Sequence, residues 1–142
     1  MSVEAVNAMV AELFPGARDR CAELGPDWAL ARRDVDAADI RPGGYISGPV
    51  QFGLADATLW FLSFAALGRI EPMAVTSELS IRYLRPAQGP VLRARARLES
   101  IGRRQLIGTA TVWVDDERQP TAVAQGTYVF PAEAVFPAES GA

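Results

Sequence analysis

The 142-residue chain contains no histidine, and all fourteen of its basic side chains are arginine, so lysine is absent as well. Without imidazole there is no Ser-His-Asp or Cys-His catalysis and no histidine-bound zinc; without a side-chain amine there is no Schiff base and no P-loop cation. Acid–base chemistry falls to carboxylates. The single cysteine, Cys21, excludes an intrachain disulfide, and the opening residues lack the basic, apolar and small-residue segments of a secretory leader, so a cytoplasmic protein is expected. An excess of positive charge is missing too: the formal net charge is -3, which gives no field for gripping a phosphate backbone, and no nucleic-acid partner is expected. With 49% apolar and 22% charged residues, the length fits one globular domain over 1–142, with its core at about 26–130 and an aperiodic tail at 131–142.

Apolar residues Val6, Met9, Val10, Leu13 and Phe14 recur at helical spacing and stop at Pro15-Gly16, which predicts a short lead helix from Val3. Trp28 to Val35 reads as a first strand. The turn-rich Arg41 to Pro49 ends in a capping serine with proline close behind, so a helix is expected to start near Gly48 and run to Leu67, with Gly68 as a left-handed stop. Apolar residues lie all around it, as in a fully buried helix. Its length approaches that of a membrane span, but Gln51, Asp56 and Gly53 argue for a protein core, and no membrane association is expected. From Ala74 the period becomes two: Val75, Ser77, Leu79, Ile81 and Tyr83 fall on one side of a strand and Thr76, Glu78, Ser80 and Arg82 on the other. Further strands are predicted over Val91–Glu99, Gln105–Val114 and Thr121–Phe130. A long buried helix followed by an antiparallel meander belongs to the α+β class, with the sheet curled around the helix.

Between Arg41 and Arg69 the only charged residue is Asp56. Its helical neighbours at three and four positions, Phe52, Gly53, Leu59 and Trp60, cannot pair with a carboxylate. A structural reading has it bonded to a hydroxyl or reaching solvent at a subunit seam. A functional reading makes it a base, because an unpaired carboxylate in such surroundings is costly and stability alone would favour Ala or Leu. The helix start at Ser47-Gly48-Pro49 offers backbone N–H groups and the positive end of the helix dipole to a carbonyl oxygen, although any capped helix offers the same. Eight residues separate Gly48 from Asp56, about 12 Å along a helix, too far for both to reach one carbonyl. If they serve one reaction, each must come from a different subunit across a two-fold interface.

The run Pro42-Gly43-Gly44-Tyr45-Ile46-Ser47-Gly48-Pro49 with Leu54-Ala55-Asp56, then Leu79-Ser80-Ile81-Arg82-Tyr83-Leu84-Arg85-Pro86-Ala87, Gly102-Arg103-Arg104 and Ala124-Gln125-Gly126-Thr127-Tyr128, resembles the PaaI-like acyl-CoA thioesterases of the hotdog fold. The resemblance covers about Arg41 to Phe130. It implies hydrolysis of a small or medium acyl-CoA thioester in a cleft between subunits of a homodimer, with a dimer of dimers as the larger assembly. It assigns base or nucleophile to Asp56, the backbone oxyanion donor to Gly48 and a position near the attacking water to Thr76. It requires no metal and no organic prosthetic group. Ser47 stands where many relatives carry histidine, Pro49 where they carry glycine, and Arg41 where they often carry asparagine. These departures alter the carbonyl's surroundings and motivate a rival reading, a non-catalytic acyl-CoA binding or sensing protein.

Coenzyme A also needs cations for its phosphates, and Arg82, Arg85, Arg103 and Arg104 lie near strand ends and turns; Arg103 and Arg104 are the preferred pair, with Ser47 as a further substrate contact. Arg93, Arg95 and Arg97 read as a solvated face or as partners for a neighbouring subunit's acids. A hotdog hydratase ranks last, because the acid–base histidine of that chemistry is missing.

Overall fold

The computed structural model describes residues 1–132, so the expected tail falls almost wholly outside the described residues. Helix α1 (Val3–Leu13) is capped by Ser2 and followed by strands β1 (Arg20–Leu24) and β2 (Trp28–Asp34). A 3₁₀ turn (Ala37–Asp39) leads into a small hairpin, β3 (Ile40–Arg41) and β4 (Tyr45–Ile46), and then into helix α2 (Gly48–Leu67). Four longer strands follow: β5 (Val75–Tyr83), β6 (Val91–Ile101), β7 (Gln105–Trp113) and β8 (Ala122–Val129). Helix α2 has the expected bounds for the expected reasons: Ser47 accepts the Val50 N–H, Pro49 sits in the first turn, and Gly68 ends the helix at φ 75°. Among the described residues it is the one helix long and apolar enough to cross a membrane, and more than half of it is buried against the sheet.

The large sheet is antiparallel with the order β1-β2-β6-β7-β8-β5. Together with the central helix it forms the α+β hotdog arrangement implied by the motif resemblance. Three expectations need correction. The strand at 28–34 is the second, not the first; β1 escapes detection because it lies at an edge, buries only Cys21 and carries a register shift between Cys21 and Glu23. The four later strands are not one meander: β5 skips β6 and β7 and pairs with β8 at the far edge. Strict alternation along β5 also fails, because a shift between Thr76 and Glu78 adds one residue and rephases the strand. Thr76 therefore reaches α2, and so does Tyr83 seven residues later, although Leu79 and Ile81 are the half-buried residues between them.

Two arginines of the β6 ladder, Arg95 and Arg97, find their acid within the chain. Arg95 binds Glu117 at 2.6 Å and stacks over the Trp28 ring at 4.9 Å, and Arg97 reaches the same glutamate at 3.5 Å. The core extends back to Val6, Val10 and Cys21, ahead of position 26, because α1 lays its apolar side on the structure. Burial pushes the Cys21 thiol up to about 12, which leaves the only cysteine an unreactive core residue.

The height of α2 above the sheet is set by two register-paired glycines, Gly108 on β7 and Gly126 on β8. A Cβ on Gly108 would lie 2.7 Å from Leu59 and Leu62, and one on Gly126 would lie 2.8 Å from Leu59. The absent side chains make room for the helix. Gly108→Ala should force α2 outward and lower stability by about 1–3 kcal/mol, the usual range for overpacking, measured by urea denaturation.

Candidate active site

Asp56 projects from a stripe of α2 that the protomer leaves partly open, which corrects the expectation of burial on every side. Gly53, Asp56, Ala57 and Trp60 are half-buried and Phe52 is 38% exposed. Two hydroxyls converge on one carboxylate oxygen. Thr76 Oγ1 donates to Asp56 Oδ1 at 2.6 Å, and Tyr128 Oη lies 2.8 Å from the same oxygen and 3.0 Å from the Asp56 carbonyl. Thr76 and Tyr128 are register partners on β5 and β8, so the sheet presents both to the helix together. Among the described residues Oδ2 takes no hydrogen bond, and Asp56 lines a cleft of about 520 Å³. The carboxylate is thus oriented through one oxygen and available through the other. Tyr128 stays protonated as a donor: burial raises its pKa far above the ordinary phenol value, and the charge of Asp56 raises it further.

Tyr128 is the residue that sequence reasoning missed. It lies 72 positions from Asp56, on a strand where Ala122, Ala124 and Gly126 turn the same face inward. A tyrosine on that buried face needs a partner for its hydroxyl, and this was the available signal.

The helix start is built separately. Ser47 donates its N–H to the Asp39 carbonyl at 2.9 Å, Ile46 donates to Ala87 at 2.8 Å, and Gly43 and Gly44 take positive φ in the tip of the β3–β4 hairpin. Ser47 Oγ takes the Val50 N–H, Ser47 O takes the Gln51 N–H and Pro49 has no N–H. Among the described residues this leaves the Gly48 N–H as the first-turn amide without such an engagement. The Tyr83 hydroxyl donates to the Gly48 carbonyl at 2.8 Å, and its ring lies where a Cβ on Gly48 would come within 3.2 Å. Gly48 and Asp56 therefore do not meet within one protomer: β5 touches α2 at both places, through Tyr83 at one end and Thr76 at the other.

Arg103 and Arg104 are exposed in the β6–β7 turn, where the Arg104 carbonyl accepts the Phe130 N–H at 2.8 Å. That turn is at the end of the sheet carrying Tyr128, since Leu106 and Tyr128 are register partners. Arg82 and Arg85 lie at the opposite end, near Tyr83.

A buried ion network fixes the approach to α2. Asp39, 3% exposed, receives Arg33 at 2.8 Å and Arg18 at 3.2 Å, while Arg33 also holds Asp19 at 2.9 Å. The Arg33 bonds, aided by the Asp36 N–H and Arg18, hold the Asp39 carboxyl far below the ordinary range despite its burial. A carboxyl depressed in the folded state contributes stability above its unfolded pKa, about 4, and loses it as pH falls toward the folded value. Asp39→Asn should cost about 3 kcal/mol at neutral pH and flatten the loss of stability below about pH 4, followed by denaturant titration across pH.

Comparisons with known proteins identify the family and the fold. The family model described as the thioesterase superfamily matches residues 43–121. The chain is 31% identical to a candidate thioesterase from Silicibacter sp. TM1040, with a TM-score of 0.81 and 92% of each chain covered. It is 28% identical to a conserved protein from Pseudomonas aeruginosa, with a TM-score of 0.73, covering 89% of this chain and 96% of that one. A mutant form of the phenylacetic acid degradation protein PaaI from Thermus thermophilus is 21% identical and shares the fold, with a TM-score of 0.69 over 87% of this chain and 99% of that one. No curated protein matches the chain.

Proposed function

The chain belongs to the thioesterase superfamily of thioester hydrolases, and from that premise we propose that it hydrolyses small or medium acyl-CoA thioesters with Asp56 as base or nucleophile. The observation that carries the proposal is the carboxylate tied through Oδ1 to Thr76 and Tyr128 while Oδ2 is open beside a cleft. As a base, Oδ2 takes a proton from water and the hydroxide oxygen adds to the carbonyl carbon. The carbonyl oxygen becomes negative and is held by the Gly48 N–H of a second protomer at the positive end of its helix. Collapse of this intermediate breaks the C–S bond, releases the acyl group as a carboxylic acid, and the leaving thiolate takes up the proton. As a nucleophile the same oxygen would add to the carbonyl carbon and expel the thiolate as the C–S bond breaks, giving a mixed anhydride; water then cleaves it to the carboxylic acid and the Asp56 carboxylate, and a proton from that water passes to the thiolate. Neither route uses a metal or a prosthetic group.

Sharing of the site between protomers follows from the 12 Å scale separating Gly48 from Asp56 on one straight helix. The edge strand β5 supports such an assembly, because among the described residues it has one neighbour in the sheet, its end residues Val75 and Tyr83 are exposed, and so are Met73 and Leu84 beside it. Ser47 borders the oxyanion donor, and Arg103 and Arg104 are the cations assigned to the coenzyme A phosphates. A cytoplasmic location completes the proposal.

Thiol release from a panel of acyl-CoAs tests it. Asp56→Asn should lower kcat by at least about 10³-fold, and Tyr128→Phe by about tenfold with little change in KM, as the carboxylate loses orientation. Mixing refolded Asp56→Asn with Gly48→Pro protomers should restore activity absent from either alone, because one hybrid site regains both groups. Tight binding of CoA esters without thiol release would instead identify a sensor, and no restoration on mixing would exclude a shared site.

A further inference from the structure

One turn before Asp56, α2 carries Gly53, on the same face and about 4.5 Å lower along the axis. Glycine inside a helix is destabilising relative to alanine. Packing does not require it here: a Cβ on Gly53 would meet only Asp19 Oδ2, at 4.0 Å, an ordinary contact. This differs from Gly108 and Gly126, where a Cβ would collide. What the missing side chain does is open the floor of the cleft between Asp56 and Asp19, both of which line it.

The far side of that floor is chemically specific. Arg33 donates to Asp19 Oδ1 at 2.9 Å and is itself clamped by Asp39, so the Asp19 carboxylate is anchored while its Oδ2 lies over Gly53. The surrounding walls are apolar: Val10 and Phe14 from the α1 side, Trp60 and Phe61 from α2, with Phe14 set edge-on to Trp60 at 5.4 Å. One fixed acceptor in an apolar trough rewards a ligand that brings a donor and penalises one that leaves the acceptor dry.

We propose that Gly53 and Asp19 determine acyl specificity: the acyl chain crosses the helix at Gly53 and presents a hydroxyl or similar donor to Asp19 Oδ2, about one helical turn from the reacting carbonyl. The inference rests on the thioesterase reading for its substrate class. With a carboxylate at each end, the trough disfavours acyl chains that end in a carboxylate of their own.

The test is binding of three non-hydrolysable thioether analogues of coenzyme A esters, with hexyl, omega-hydroxyhexyl and omega-carboxypentyl tails, measured by calorimetry. The wild-type protein should bind the hydroxyl-tailed analogue about tenfold more tightly than the alkyl one, and the carboxylate-tailed one most weakly. Asp19→Asn should reduce the hydroxyl preference to under threefold and strengthen binding of the carboxylate tail. Gly53→Ala should raise Tm while weakening the hydroxyl-tailed analogue at least fivefold, a combination that a purely structural glycine would not produce. Equal affinities for the hydroxyl and alkyl tails, no binding of either, or unchanged binding in Gly53→Ala would overturn the proposal. Because the readout is binding, selective capture of these analogues together with no thiol release from the corresponding thioesters would sink the hydrolase reading and leave this specificity in place.

Discussion

The seating of Leu59 in the hollow above Gly108 and Gly126 is the contact on which the candidate site depends. A carboxylate on a half-buried helix face is tolerable only when hydrogen bonds replace lost water. The donors for Asp56 come from two different strands, so the helix must lie low enough over β8 and β5 for Tyr128 and Thr76 to reach it. A methyl group at either glycine would change that height. Packing at one residue thereby governs hydrogen bonding one turn away.

The open stripe on α2 and the single-sided pairing of β5 are two aspects of one incompleteness. A helix wrapped wholly by its own sheet would bury Asp56 and seal the cleft. Among the described residues the sheet ends at β5, one face of α2 is left half covered, and Gly48 and Asp56 stand about two turns apart on that one continuous helix. In the proposed reaction a second protomer would complete both the edge and the site.

Around this, the Arg33 network links distant parts of the chain. Asp39 orders the loop that delivers Ser47, and Asp19 reaches from the segment after α1 to the floor of the cleft. A buried ion network is weak evidence for net stability, because desolvation offsets much of the attraction. Its value here is positional, since each guanidinium fixes more than one carboxylate and so fixes the loops that carry them.

Much of this was legible from residue order. The limits of α2 follow from local chemistry at Ser47, Pro49 and Gly68, and Asp56 is conspicuous because no neighbour within one turn can neutralise it. Local rules cannot see across the chain, however. The bulge near Ser77, the placement of β5 beside β8, the intrachain partner of Arg95 and Arg97, and the role of Tyr128 all depend on which segments meet in space. The sequence by itself determined the helix, its solitary carboxylate and the exclusion of histidine and lysine chemistry, because these depend on composition and on spacings of a few residues. The tertiary structure alone decided which hydroxyls hold that carboxylate and which of its oxygens is left without a hydrogen bond among the described residues, because strand register joins residues twenty and seventy-two positions away.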